Sequence, residues 1–117
     1  MGLNILLVED DIAQAELIRS YLHRAGHRTV HTKTISKTIE VIDKAEKEFG
    51  LVILDLNLPD SRGLETFTII NLKRPLIAIL IFSGVFDVEL AEKAVEQGAG
   101  GFLLKTDVAG VPKLLEL

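Results

Sequence analysis

Four stretches of the chain, Leu3–Val8, Leu51–Leu54, Leu76–Phe82 and Phe102–Leu104, are dominated by Leu, Ile and Val without polar alternation. Strands covered by helices on both faces have this character, so the pattern predicts a buried parallel sheet. A fifth run, His27–Thr32, mixes β-branched with polar residues and suits an edge strand. Between these runs the apolar positions change to helical spacing. Ile12, Ala15, Ile18, Leu22 and Ala25 line one face, and Gly26 offers a left-handed cap. Ile35, Ile39, Ile42 and Ala45 form a second stripe, with Thr34 or Ser36 as N-cap. Leu64, Phe67 and Ile70 form a third after Gly63, and Leu90, Ala91, Ala94 and Val95 a fourth that ends at Gly98.

Strand and helix alternating in this way predict an α/β, doubly wound, three-layer fold with right-handed crossovers. At 117 residues with 48% hydrophobic content the chain fits one domain with one continuous core, 1–117. The last helix, Val111–Leu117 with Pro112 near its first turn, is short, about 10 Å at 1.5 Å per residue. That shortness raises the expectation of a piece cut from a longer protein. Thirteen Lys+Arg against 17 Asp+Glu give a net charge of −4, and no basic run stands ready to neutralise a row of phosphates, so no direct contact with nucleic acid is expected. Without cysteine, any metal or catalytic chemistry falls to oxygen and imidazole groups, and a cytoplasmic location is expected. The apolar runs fall far short of the ~20 residues that span a bilayer, so no membrane partner is expected.

In a doubly wound sheet, ligands sit beyond the carboxyl ends of the strands. The residues there are polar and specific: Glu9-Asp10-Asp11 after Leu3–Val8, Asp55-Leu56-Asn57 after Leu51–Leu54, Ser83-Gly84 after Leu76–Phe82 and Lys105-Thr106 after Phe102–Leu104. If the first and third strands are neighbours, Glu9, Asp10 and Asp55 converge. Carboxylates so close repel by about 1 kcal/mol per pair at 4 Å in water and by more in a partly dry cleft. A hard divalent cation answers this, and magnesium, which takes one or two carboxylates plus phosphate oxygens, fits a small acidic cleft. Lys105 and Ser83 add an ammonium and a hydroxyl suited to a phosphoryl group arriving on one of the acids.

With these residues in place, essentially the whole chain resembles the response-regulator receiver domain of two-component signalling. The family pattern of an acidic pair, an acceptor Asp, a Ser or Thr with a small residue, and a Lys falls on Glu9 and Asp10, Asp55, Ser83 with Gly84, and Lys105. The loop proline and glycine of the family fall on Pro59 and Gly63. The resemblance implies a flavodoxin-like (βα)5 sheet in the order 2-1-3-4-5. It also implies that Asp10 and Asp55 bind Mg²⁺ directly, that Glu9 acts largely through water, and that the Asn57 backbone carbonyl completes the protein ligands. Phe102 sits where the family has an aromatic ring that changes rotamer as Ser83 moves. The implied function is a Mg²⁺-dependent phospho-acceptor switch that takes a phosphoryl group onto Asp55 from a histidine kinase or phosphotransfer protein. Such a protein catalyses only its own phosphorylation and slow dephosphorylation; its output domain or partner is left open, and a homodimer is one arrangement the family allows. The rival reading is a receiver-like interaction module that signals without phosphate. An aspartyl-phosphate hydrolase usually carries a second Asp two residues after the nucleophile, where this chain has Asn57.

Several residues carry plainer readings. Asp11 suits a helix N-cap. Taken alone, Phe102 is core packing. Val85 and Phe86 are either satellite packing or an apolar docking patch. His23, His27 and His31, without spacing for a shared metal, read as solvated histidines. The chain departs from many family members at Thr106, where they carry a proline preceded by a cis bond. A cis bond before a non-proline residue costs about 2.5–4 kcal/mol, so Lys105–Thr106 is expected trans, with Gly110 absorbing the changed loop path.

Overall fold

The computed structural model describes residues 2–45 and 48–114, apart from the side chains of Pro112 and Leu114. Five parallel strands form one sheet: β1 (Asn4–Val8), β2 (Arg28–Thr32), β3 (Leu51–Leu54), β6 (Ile79–Ser83) and β7 (Gly101–Leu104), in the order β2-β1-β3-β6-β7. This is the expected 2-1-3-4-5 order, because β4 (Asn57–Leu58) and β5 (Ser61–Arg62) lie outside the main sheet as a small antiparallel hairpin. The helices are α1 (Ile12–Arg24), α2 (Ile35–Lys44), α3 (Leu64–Lys73), α4 (Val88–Glu96) and a short α5 (Val111–Leu114).

The pleat sorts the strand residues between two half-cores, since successive side chains of a strand face opposite sides. Leu6, Val8, Val52, Leu54 and Ile81 pack with Ile35 and Ile42 of α2, Phe67 and Ile70 of α3, and Ala91 and Ala94 of α4. Ile5, Leu7, Ile53, Leu80 and Phe82 pack on the other face with Ala15, Ile18 and Leu22 of α1 and with Val108 and Val111. Burial on both faces explains why β1, β3 and β6 carry no polar alternation. Asp11 caps α1 by accepting from the Gln14 amide at 3.0 Å. Thr34, rather than Ser36, caps α2, accepting from Lys37 N at 3.1 Å. Gly26, at φ 92, ends α1 as expected.

Four expectations are corrected in detail. The strand expected over Leu76–Phe82 begins later than Leu76: β6 opens at Ile79, and Leu76 is fully exposed. Pro75 has no N–H for a ladder, and a turn from Arg74 to Ile77 precedes the strand. Ile12 belongs to no core face; it is 56% exposed on the first turn of α1. Val95 is likewise partly outside, at 37%. The segment after Lys105 contains 3₁₀ turns over Lys105–Gly110 before α5, and residues 115–117 of the expected last helix lie outside the described residues. No cis peptide bond occurs among the described residues, so Lys105–Thr106 is trans as expected, and Gly110 follows without a left-handed φ.

Gly63 closes the loop that leaves β3. Its φ of 71° and ψ of −151° lie where side-chain-bearing residues are strained, and its amide donates to Leu56 O at 2.8 Å. Gly63→Ala is therefore expected to lower stability by about 1–3 kcal/mol. Equilibrium urea unfolding checks this, and an unchanged midpoint would show that the turn does not need glycine.

Candidate functional site

The register of β1 against β3 builds the site. Val8 pairs with Leu54, and the ladder continues one step further: Asp55 N donates to Val8 O and Glu9 N to Thr32 O, each at 3.0 Å. Glu9 and Asp55 therefore emerge side by side at the carboxyl edge, where the strand order reverses direction around β1 and β3. Both are buried, Glu9 completely and Asp55 to 4% exposure, while Asp10 stands in solvent. Carboxylate oxygens of Glu9, Asp10 and Asp55 lie within 4.8 Å of one another.

Lys105, at the end of β7, reaches across the edge to this cluster. Its Nζ lies 2.8 Å from Asp55 Oδ2 and 3.1 and 3.4 Å from the Glu9 oxygens, with the Phe82 ring centroid 5.7 Å away. Burial pushes the Glu9 carboxyl up to about 8, and the adjacent Asp55 adds to the rise while Lys105 opposes it. Burial alone would lower the Lys105 value, but its hydrogen bond and attraction to Asp55, aided by Glu9, outweigh that and raise it. Lys105 thus stands within hydrogen-bond reach of two of the three acids, Asp55 and Glu9, and burial is the main reason the Glu9 value is raised. A hard-oxygen donor set of this kind fits Mg²⁺, which binds through few carboxylates and keeps water in its remaining positions.

The other expected residues are placed as follows. Ser83 is buried at the end of β6, its hydroxyl donating to Gly84 O at 3.0 Å rather than to Asp55. The Asn57 amide donates to Asp55 Oδ1 at 2.9 Å, while its side chain turns away to Asp87 Oδ2 at 2.9 Å. Phe102 is half-buried, paired with Ile81 and packed against the α2–α4 half-core. Val85 and Phe86 are 62% and 97% exposed beside the site, which removes the packing reading for them.

Of the three histidines only His23 is exposed, and even its Nε2 meets Thr29 Oγ1 at 2.9 Å. His27 Nδ1 accepts from Leu3 N at 2.9 Å, and His31 Nε2 contacts the Glu9 carbonyl at 2.7 Å. Strand pairing brings both to partners that their sequence positions do not reveal. Other residues at the rim were also missed. Gln14 Nε2 donates to Lys105 O at 3.2 Å, anchoring the lysine's backbone to α1. Thr66 Oγ1, buried, donates to Leu56 O at 3.2 Å and meets Ser61 Oγ at 2.7 Å, fixing the loop after Asp55. Asp60, at the tip of the small hairpin, accepts from Ile35 N at 2.8 Å and Ser36 N at 3.0 Å, which holds its carboxyl below the usual range. Only residue type could have hinted at these, since Asp and Thr are common at caps and turns.

The family model for the response regulator receiver domain matches residues 5–113. The response regulator protein FleR of Pseudomonas aeruginosa is 32% identical over 105 residues, an alignment covering 90% of this chain and 22% of FleR. A cyclic di-GMP phosphodiesterase of Thermotoga maritima is 27% identical over 103 residues, covering 88% of this chain and 27% of that protein. Among solved structures, the receiver domain of NtrX from Brucella abortus has a TM-score of 0.84 at 27% identity, covering 96% of this chain and 93% of that one. The chain thus spans about a quarter of the length of these two curated relatives, yet nearly all of an isolated receiver.

If Lys105 offsets the buried acids, Lys105→Met is expected to destabilise the fold by about 1–3 kcal/mol. Asp55→Asn in the same background should recover part of that loss, because it removes one of the unpaired charges. Urea unfolding of the four proteins of this cycle is the check; strictly additive effects would show that the two residues are not coupled.

Proposed function

The chain belongs to the response regulator receiver domain family, and from that premise we propose that it is a phospho-acceptor switch in which Asp55 is the acceptor. The observation that carries the reading is the joining of Asp55, Glu9 and Lys105 at 2.8–3.4 Å, with Asp10 in reach, at the edge where the strand order reverses. A carboxylate oxygen of Asp55 attacks the phosphorus of a phosphohistidine on a kinase or phosphotransfer protein. The P–N bond breaks, an acyl phosphate forms on Asp55, and the departing imidazole takes a proton from solvent. Asp10 and Asp55, with the Asn57 carbonyl, would hold Mg²⁺ directly and Glu9 would act through water. When bound, the ion supplies charge neutralisation for phosphoryl oxygens. Lys105 holds its ammonium against Asp55 and supplies donors for the same oxygens.

Ser83 then exchanges the Gly84 carbonyl for a phosphoryl oxygen, with Phe102 following it, so that the new contacts bias two existing conformations. The Asn57 side chain is engaged with Asp87, and no second acid stands two residues beyond Asp55 to activate water, which supports slow loss of the phosphoryl group. The chain is thus no general hydrolase but the input unit of a signalling protein, its change read by an output unit or a partner, a second copy among them. The greater length of the matched relatives supports this, and among the described residues no helix is long and apolar enough to cross a membrane.

Incubation with acetyl phosphate and Mg²⁺, followed by intact-mass measurement, should give one phosphoryl adduct on the wild-type chain and none on Asp55→Asn. An adduct that persists in that variant would move the acceptor elsewhere. Mg²⁺ should also raise the thermal midpoint of the wild type, since it binds the folded site only. Asp10→Ala should weaken this response; an unchanged Mg²⁺ affinity would remove Asp10 from the ligand set.

A further inference from the structure

Asp87 stands at the N-cap position of α4, where an aspartate ordinarily accepts from an amide of its own helix. Here it makes no such bond. Its carboxylate instead accepts from Asn57 Nδ2 at 2.9 Å, thirty positions away in sequence, on the segment that leaves the neighbouring strand β3. The local role of an N-cap Asp therefore does not account for it.

The bond closes a chain that runs from the acceptor to the switch hydroxyl. Asn57 N donates to Asp55 Oδ1, Asn57 Nδ2 to Asp87 Oδ2, Asp87 N to Gly84 O at 3.0 Å, and Ser83 Oγ to that same carbonyl at 3.0 Å. We propose that Asp87 is a positioning residue: through Asn57 it latches the loop Gly84–Asp87 across the mouth, keeps the Gly84 carbonyl available to Ser83, and so sets how fast the phosphoryl group enters and leaves Asp55. This rests on the phospho-acceptor reading and extends it to a residue outside the acidic pocket. The Gly84 carbonyl is the fulcrum. It receives both the Ser83 hydroxyl and the Asp87 amide, so a loop freed from Asn57 holds that carbonyl less firmly and releases Ser83 sooner. The same release widens the path of donor and water to Asp55.

The test has two arms. In the first, amide hydrogen exchange over residues 84–88 is measured without any phosphodonor. Asn57→Ala lies on a different loop, yet it should accelerate exchange there as Asp87→Ala does. In the second, adduct formation with acetyl phosphate and Mg²⁺, and its subsequent decay, are followed by intact mass. Asp87→Ala should speed both by about 2- to 10-fold, the worth of one hydrogen bond expressed as a rate. The double variant Asn57→Ala/Asp87→Ala should add little to either single change, and Asp87→Asn, which keeps an acceptor oxygen, should restore wild-type rates. The thermal midpoint should hardly move, which separates a latch from a structural cap. Unaltered exchange at 84–88 in Asn57→Ala, or additive rate effects of the two substitutions, would overturn the latch while leaving the phospho-acceptor reading intact. A wild-type chain that accepts no phosphoryl group would instead remove that reading, and the rate-setting role of Asp87 with it.

Discussion

Two carboxylates emerge from adjacent buried strands with nothing between them but the register of β1 against β3, and the carboxyl edge of the sheet is arranged around that juxtaposition. Removing carboxylates from water is costly, and their mutual repulsion grows as the local dielectric falls. The sheet cannot relieve this by moving either strand, because Leu6, Val8, Val52 and Leu54 are fully buried against the helices on one face and Ile5, Leu7 and Ile53 on the other. Relief has to come from a cation delivered across the edge. Lys105 does this from β7, two strands away from β3, over roughly 10 Å at ~4.8 Å per strand. Its ammonium lies 5.7 Å from the Phe82 ring centroid and bridges Asp55 and Glu9.

One ammonium leaves the pocket electrostatically incomplete. Burial raises the Glu9 carboxyl to about 8, and the neighbouring Asp55 adds to the rise. Such a pocket favours groups that bring positive charge, and a cation held there would create a landing place for the anionic oxygens of a phosphoryl group. Structure and chemistry are linked here by solvation: the burial that strains the acids in isolation makes their response to added charge large.

The rim is held differently from the core. Each strand-end loop is tied by a partner distant in sequence: Lys105 O by Gln14, the Glu9 carbonyl by His31, the start of α2 by Asp60, and Asp87 by Asn57. Packing holds the sheet in one arrangement, whereas a rim of exchangeable hydrogen bonds, each worth about 0.5–1.5 kcal/mol net, can be rearranged by a single new ligand. The Ser83 hydroxyl resting on the Gly84 carbonyl is one such exchangeable contact.

The alternation of strands and helices, the two-faced burial of the sheet and the residue types at the strand ends are all legible in the order of residues alone. These follow from periodicity and composition, which are local properties of the chain. Runs such as Leu51–Leu54 admit few structures other than a buried strand, and Asp55 directly after such a run marks a candidate site. Local pattern is least reliable at boundaries: Leu76 extends an apolar run yet is exposed, because Pro75 and the turn after it delay the first ladder bond, and Ile12 falls on the helical stripe yet lies on the exposed first turn of α1. No local pattern reveals that Lys105 bridges two acids, that Asp60 caps a helix 25 positions earlier, that His31 meets the Glu9 carbonyl, or that Asp87 leaves its own helix for Asn57; folding brings these pairs together. The physical reason is that a hydrogen bond depends on distance and direction between individual atoms, and the crossovers of the fold bring those atoms together from segments that share no periodicity.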